Sequence, residues 1–230
     1  MKLRFLTAII CLSFSTITLA QVANISNGIG GAPYRESSKE AEISGEKFLF
    51  DKYLMGTVTG SAGEKKDIMF QLDLLGNNIV AYNNGNPLVL YKAAYSDLTF
   101  RNVGEDGKEE VYKFASGFDF EGKPDFFYRV LYAKDSFTLL KKIIVKVKSY
   151  NKTEYGGGTT TISKFDREEG YFLLYPDGSH KRLESSRSKI IDNFGSHEKD
   201  LKSFIKKNRL KFKDESDYIE LTSYFVNLEV

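Results

Sequence analysis

Asp125 to Lys148, DFFYRVLYAKDSFTLLKKIIVKVK, is the hairpin around which the rest of the sheet is predicted to form. Aromatic and β-branched residues fill 126–133 and the run that begins at Phe137. The polar residues 134–136 between the two runs form a connection of hairpin size. The stretch therefore predicts two antiparallel strands joined by a tight turn.

The second strand of this hairpin has two chemically different faces. Successive side chains of a strand point to opposite faces of the sheet, so apolar and basic residues at alternating positions are separated. The apolar face carries Ile143, Val145 and Val147, and the basic face carries Lys142, Lys146 and Lys148. We expect the apolar face to pack and the lysine face to meet water.

Short strand patterns recur on both sides of the hairpin. The upstream patterns cover 48–50, 53–59, 68–75, 79–82, 88–91, 98–102 and 110–115, and the downstream patterns cover 159–165 and 170–175. Clusters of Gly, Asn, Asp and Pro separate them, as expected for turns. Strands in close succession predict an antiparallel meander over residues 47–183, rather than alternating β and α units.

The apolar residues change period in residues 184–230, where three short amphipathic helices are predicted. Gly195 is the predicted stop of the first helix, and Ser196 is the predicted N-cap of the second, which ends near Asn208. The third helix begins with the acidic stretch 214–217, at its positive end. The apolar stripes of these helices need a surface to cover, and the sheet provides one.

The predicted fold class is therefore α+β and strand-dominated. It consists of an antiparallel β meander, as a curved sheet or open barrel, packed with two or three short C-terminal helices. We expect residues 47–230 to form a single domain with 47–183 as its β region and 184–230 as its helical segment.

Residues 1–20 have the pattern of a signal peptide. Lys2 and Arg4 precede the apolar run from Phe5 to Leu19, and Ala20 provides a small residue for cleavage before Gln21. An uncleaved membrane anchor is the alternative, but the run is short and interrupted by Ser and Thr. We expect export to the periplasm or the extracellular space.

The expected mature chain begins with residues 21–46, which are rich in Gly, Ser, Asn and Glu. This composition predicts a flexible leader, with a few residues pinned near Pro33 and Tyr34. The only cysteine, Cys11, lies in the signal pattern. The mature chain is therefore predicted to lack disulfides and thiolate chemistry.

The charge of the chain is balanced overall but uneven along its length. Without Lys2 and Arg4, the 33 basic residues become 31, equal to the 31 acidic residues. Residues 179–213 hold 11 basic and 4 acidic side chains, whereas 214–230 hold five acidic and no basic ones. We expect two mutually attracting, solvated surfaces. Nucleic acid is not an expected partner of an exported protein.

The sequence contains no compact catalytic or metal-binding motif. His180 and His197 have no partner ligands at metal-site spacing, and we expect surface or capping roles for them. Ser186-x-x-Lys189 lacks its companion motifs. The carboxylate pairs Asp119 with Glu121 and Glu168 with Glu169 could serve glycoside hydrolysis, but the chain has no tryptophan to furnish a sugar platform. A Ser-His-Asp triad assembles in space, so that alternative stays open. We predict no catalytic, cofactor-binding or metal-ligating residues.

Several short stretches together resemble a group of uncharacterised exported proteins from Bacteroidota. These stretches are 56–58 (GTV), 77–80 (NNIV), 127–132 (FYRVLY), 139–142 (LLKK), 204–212 (FIKKNRLKF) and 221–225 (LTSYF). The resemblance covers most of the expected mature chain. It implies an exported location and strands followed by helices, and it implies no activity.

We expect an exported, non-enzymatic protein that acts by binding or contact with another envelope or surface component. The alternative is a periplasmic carrier of an apolar or lipid-like ligand held by the bent sheet. Lys142, Lys146 and Lys148 are the candidate ligand or surface contacts. In the carrier hypothesis these lysines and the basic segment 179–213 meet the anionic head group of the ligand. An enzyme is the third hypothesis.

Overall fold

A computed structural model describes residues 31–83, 85–104, 107–153, 155 and 157–229. The predicted signal peptide and residues 21–30 of the predicted leader lie outside the described residues.

The described strands form one antiparallel sheet. They are β1 (Gly31–Pro33), β2 (Leu54–Thr59), β3 (Lys65–Asp73), β4 (Asn78–Asn83), β5 (Asn86–Leu90), β6 (Asp97–Val103), β7 (Glu109–Ala115), β8 (Tyr128–Lys134), β9 (Phe137–Thr153), β10 (Thr159–Leu174) and β11 (His180–Leu183). Their order across the sheet is β1-β5-β4-β3-β2-β6-β7-β8-β9-β10-β11. The sheet does not close, and the predicted strand-dominated α+β meander is confirmed.

The predicted central hairpin is β8 with β9. Lys134 pairs with Phe137, so the turn has two residues rather than the predicted three. Asp135 and Ser136 both have positive φ, 51° and 67°, which is the geometry that a two-residue hairpin turn with the right twist requires. On β9, Ile143 and Val145 are buried as expected, but Val147 is 43% exposed. The apolar face therefore packs only as far as Val145.

Three features of the sheet differ from the sequence patterns. β10 is continuous where two strands were predicted, because β9 pairs with it along its whole length. The short and polar β11 was not predicted, and it pairs with β10 at residues 171–174. Residues 48–50 do not form a strand; Phe48 makes an isolated bridge to Asp73, and the side chains of Leu49 and Phe50 pack against the core.

Residues 31–46, which the sequence analysis places in the flexible leader, contain two elements in the structure. β1 pairs with β5, from Gly31 opposite Leu90 to Pro33 opposite Leu88. Helix α1 (Ser38–Ala41) follows, capped by the Ser37 hydroxyl. The segment is held to the sheet by this pairing and by ion pairs of Lys47, described in the Discussion.

The sheet is strongly curved, and its concave side holds the largest part of the core. Val145 N–H donates to the Leu74 carbonyl at 3.2 Å, so β9 lies against the end of β3. We call the residues enclosed by this bend the inner cluster. Its members include Val58, Phe70, Leu72, Ile79, Leu98, Phe100, Phe114 and Ile143. Burial of such side chains is the main stabilising term.

Three further helices follow the strands, as predicted. They are α2 (Arg187–Phe194), α3 (Glu198–Asn208) and α4 (Glu215–Glu229). Their apolar faces pack on β8–β11 through Leu139, Leu173, Ile190 and Phe225, among others. A third cluster, on the opposite face of β9 and β10, is covered by Phe118 and Phe120 of the loop after β7.

Gly195 ends α2 in the left-handed conformation with φ of 74°, which confirms the predicted helix stop. The prediction that Ser196 caps α3 is wrong, because His197 occupies the N-cap position. The Ser196 hydroxyl donates instead to Glu229 at the end of α4. The α2–α3 connection is thereby fastened to the last helix.

Candidate functional site

Each of the three lysines predicted as ligand contacts forms an ion pair with a carboxylate. Lys142 lies 2.5 Å from Glu121, Lys146 lies 2.6 Å from Glu168, and Lys148 lies 2.5 Å from Asp166. The hydrogen bond from Lys142 lowers the pKa of Glu121, and the hydrogen bond from Lys148 lowers the pKa of Asp166. The charges of these three lysines on β9 are therefore compensated by carboxylates.

Two of these lysines line a small recess on the outer face of β9, β10 and β11. The recess has a volume of about 180 Å³, and Lys142, Lys146 and Arg182 contribute its cations. Gly170 belongs to its lining, and a Cβ atom at this position would make ordinary van der Waals contacts with the Phe172 ring and the Arg182 guanidinium. Lys148 lies beyond its lining. Arg182, which belongs to the basic segment 179–213, has no ion pair within the described part of the chain.

Of the carboxylates considered for glycoside hydrolysis, Glu121, Glu168 and Glu169 all belong to the lining of this recess, and each of them is engaged by a lysine. Glu168 bonds Lys146 on the outer face of the sheet, whereas Glu169 lies 2.7 Å from the buried Lys141. Adjacent residues of a strand point to opposite faces, which explains why these two glutamates bind different lysines. Glu121 is engaged by Lys142. These carboxylates serve ion pairs within the sheet.

The two histidines lie in different parts of the fold. The His180 ring lies 4.2 Å from the Phe120 ring, measured between centroids. His197 Nε2 lies 3.3 Å from Glu229 Oε1. The described residues contain no group of three or more His, Cys, Asp or Glu side chains arranged to hold a metal ion.

A larger cleft lies between α2 and α3, with a volume of about 540 Å³. We call it the basic cleft. The buried side chains of Ile191 and Ile205 belong to its lining. Four cations surround them, namely Arg187, Lys202, Lys206 and Arg209, with Ser188 completing the lining. No acidic residue lines the cleft.

The local sequence explains how α3 brings its cations to the cleft. Leu201 and Ile205 are one helical turn apart and are buried, and Lys202 and Lys206 follow them on the adjoining side of the helix. Arg209 adopts the left-handed conformation with φ of 58° and caps the helix through its N–H to the Ile205 carbonyl. Cations at this end of a helix are favoured by the helix dipole.

The cations of the basic cleft are largely uncompensated. Lys202 pairs with Glu198, one turn earlier on α3. Arg187, Lys206 and Arg209 form no ion pair with any other described residue. This arrangement is the opposite of that on β9, where every predicted lysine has a carboxylate partner.

Two acids of α4 contact the basic segment 179–213, but they bind backbone N–H groups, a hydroxyl and a histidine rather than its Lys and Arg side chains. Glu215 binds Arg129 of β8, and Asp217 accepts the backbone N–H groups of Lys211 and Phe212. Glu229 is engaged by the α2–α3 connection. In the sequence, the basic cleft was indicated by the net positive charge of residues 179–213. The cleft itself depends on how α2 and α3 pack, which the sequence pattern does not specify.

The fold and the site define a strand-dominated α+β protein with an uncompensated basic cleft between two C-terminal helices. No protein-family model matches the chain, and comparisons with curated proteins and with solved structures find no similar protein. None of the helices in the described ranges combines the length and the apolar character needed to traverse a membrane.

Proposed function

We propose that this chain is an exported, non-enzymatic binding protein that holds the headgroup of an anionic phospholipid at a membrane surface through its basic cleft. The observation that carries the proposal is the convergence of Arg187, Lys206 and Arg209, without internal acidic partners, on one cleft. Guanidinium and ammonium groups are the side chains that bind phosphate oxygens. A bound anionic group provides the negative charge that these three cations lack within the fold.

The dimensions and lining of the basic cleft favour a headgroup over a folded acidic partner. A volume of about 540 Å³ lies within the range of small-ligand pockets. The isoleucines and the aliphatic stems of the lysines provide apolar surface next to the charges. A lipid headgroup and the first carbons of its acyl chains likewise place a charged group next to apolar carbon atoms.

The alternative, a carrier that encloses its ligand within the sheet, has less support from the packing. The concave side of the sheet is occupied by aromatic side chains. Phe70 lies 4.2 Å from Phe100, and Phe100 lies 5.8 Å from Phe114, measured between ring centroids. A ligand there would have to displace these rings.

The proposal is tested by sedimentation with lipid vesicles. We expect binding to vesicles of phosphatidylglycerol mixed with phosphatidylcholine, little binding to phosphatidylcholine alone, and weaker binding at high salt. The triple variant Arg187→Gln/Lys206→Gln/Arg209→Gln should bind about 100-fold more weakly, at about 1 kcal/mol for each cation near an anionic surface.

The matched control is Lys142→Gln/Lys146→Gln/Lys148→Gln, which removes the same charge from the compensated face of β9. Its binding should equal that of the wild type. Equal loss in both triple variants would reduce the effect to net charge and overturn the assignment of the cleft. Binding of polyglutamate without binding of anionic vesicles would identify an acidic polypeptide instead and would also refute the lipid proposal.

The exported location is tested separately. The N-terminus of the protein purified from its native host should be residue 21. An N-terminus at residue 1 or 2 would refute cleavage of the signal peptide.

A further inference from the structure

The basic cleft lies at the beginning of α2. Arg187 and Ser188 are the first two residues of this helix, and both belong to the lining of the cleft. The first N–H groups of a helix have no partner within it, and the N-cap side chain commonly accepts one of them. The N-cap residue Ser186 makes no such bond, and its hydroxyl lies 3.2 Å from the Ser188 hydroxyl instead. The first turn of α2 therefore offers N–H donors next to the guanidinium of Arg187.

The polarity of this helix end is not neutralised by nearby acids. The N-terminus of a helix carries a partial positive charge, which favours Asp and Glu in the first turn. Helices α3 and α4 follow this rule, with Glu198 and Asp200 in one first turn and Glu215 and Asp217 in the other. The first turn of α2 contains no acidic residue. This feature favours an anion in the cleft and is independent of the three uncompensated cations.

The charge of the basic cleft is greater than one phosphodiester can balance. Arg187, Lys206 and Arg209 bring three positive charges to it without a carboxylate partner in the described part of the chain. A phosphodiester carries one negative charge and two terminal oxygens. A phosphomonoester carries about 1.5 to 2 negative charges at neutral pH and has three terminal oxygens. Because a guanidinium binds two oxygens at once, a monoester provides acceptors for both arginines and the lysine.

We propose that the preferred occupant of the basic cleft is a terminal phosphomonoester, bound by Arg187, Lys206, Arg209 and the first N–H groups of α2. The inference rests on the proposed function for the lipid source of this group, of which phosphatidic acid is the simplest example. A soluble phosphomonoester such as glycerol 3-phosphate presents the same chemistry. The recess beside Arg182 does not match this ligand, because carboxylates belong to its lining.

The preference is measured with vesicles of phosphatidic acid and of phosphatidylglycerol, each mixed with phosphatidylcholine. At about pH 7.5, roughly twice the mole fraction of phosphatidylglycerol gives the two membranes the same surface charge. Binding that depended on charge density alone would then be equal. We expect the full purified chain to bind phosphatidic acid vesicles about tenfold more tightly.

Soluble ligands separate the headgroup from the membrane. Calorimetry should show binding of glycerol 3-phosphate that weakens as the solution is acidified from about pH 7.5 to about pH 5, because the second pKa of a phosphomonoester is about 6. The diester glycerophosphoglycerol should bind weakly at both pH values. The arginines and lysines of the lining stay charged throughout this range. Protonation of Glu198 beside Lys202, or of His197 at the start of α3, would act on both ligands alike.

The variant Arg187→Gln should lose most of the preference for phosphatidic acid. The matched control is Arg182→Gln, which removes the unpaired arginine of the recess and should keep the preference of the wild type. Equal binding of the two lipids by the wild type, or the same loss in both variants, would overturn this inference and leave the proposed function standing. Binding of neither lipid would refute the proposed function. Binding of glycerol 3-phosphate in that case would still support a phosphomonoester site, with a soluble ligand.

Discussion

Glu215 Oε1 accepts a hydrogen bond from Arg129 Nη1 at 2.8 Å, which joins the first turn of α4 to β8. The same carboxylate has its Oε2 atom 3.4 Å from Nζ of the buried Lys141. Arg129 also lies over the Tyr112 ring, 4.2 Å from its centroid. Glu215 therefore stands between two cations of the sheet. This polar contact complements the apolar packing that holds α4 in place.

Glu215→Gln should lower the free energy of unfolding by about 2 kcal/mol, because it removes the negative charge between two poorly exposed cations. Urea unfolding followed by circular dichroism measures this change. Glu220→Gln, on the exposed side of the same helix, is the matched control and should stay within about 0.5 kcal/mol of the wild type. Equal effects of both substitutions would show that Glu215 has no special role in docking α4.

Two tyrosines, the buried Tyr128 and the partly buried Tyr175, should respond in opposite ways to loss of the hydroxyl group. The Tyr128 side chain is fully buried, and its hydroxyl has no hydrogen-bond partner among the described residues. The Tyr175 hydroxyl donates to the Asn193 carbonyl at 2.6 Å. Burial raises the pKa of each phenol to about 12.

Tyr128→Phe should therefore leave stability unchanged or raise it by about 1 kcal/mol, whereas Tyr175→Phe should lower it by about 1 kcal/mol. Thermal and urea unfolding of both variants measure the difference. A marked loss of stability in Tyr128→Phe would mean that its hydroxyl has a partner after all.

The sequence predicted the parts of the fold that depend on local pattern. The hairpin around Asp135, the meander and the end of α2 at Gly195 each have a signal within a few residues. β11 was missed because a four-residue polar strand has no apolar alternation. Its strand character comes from pairing with β10. The continuity of β10 likewise depends on the partner strand and on ion pairs such as Lys146 with Glu168.

The candidate site was less predictable because it, too, depends on contacts between residues that are distant in the sequence. Sequence reasoning selected Lys142, Lys146 and Lys148 because they alternate along a strand. Whether a cation is compensated depends on residues far away in the chain, as with Glu121, which reaches Lys142 from a loop. The free cations of the basic cleft were visible in the sequence only as an excess of charge.

Lys47 anchors the N-terminal segment to the sheet. Its ammonium lies 2.7 Å from Glu36 and 2.6 Å from Glu40, and only 3% of its side chain is exposed. Burial by itself would lower the pKa of Lys47, but hydrogen bonds with Glu36 and Glu40 and a smaller electrostatic contribution of Tyr34 raise it overall. The residue is therefore charged in the folded protein at neutral pH.

Lys47→Met should loosen β1 and α1 while the inner cluster stays folded, because the ion pairs join Glu36 and Glu40 to Lys47, whose carbonyl accepts the Leu74 N–H. Amide hydrogen exchange should quicken in β1 and α1, and limited proteolysis should cut there first. Lys39→Met, at an exposed position in α1, should leave both measurements as in the wild type. Unchanged protection of β1 in Lys47→Met would show that strand pairing alone holds the segment.

Asp73 gives the chain a specific pH dependence. Burial raises the pKa of this carboxyl above its ordinary 3.8, although the N–H groups of Gly76 and Leu75 bond to it and act in the opposite direction. The folded state therefore binds the proton more tightly than the unfolded state. The resulting contribution to stability is fully present below the unfolded pKa and is lost as pH rises through the folded pKa.

Asp73→Asn removes the titrating group and keeps an oxygen that accepts the N–H groups of Leu75 and Gly76. The free energy of unfolding of the wild type minus that of Asp73→Asn should be largest in acid and should fall as pH rises through the ordinary pKa of 3.8 and the raised pKa of the folded state. Asp73→Ala also removes the titration but loses both hydrogen bonds. The free energy of unfolding of Asp73→Ala should change with pH in parallel with that of Asp73→Asn and should be about 1 to 3 kcal/mol lower at every pH. Urea unfolding at each pH measures all three proteins, and a difference that grew with pH would show that the folded state favours the ionised carboxylate.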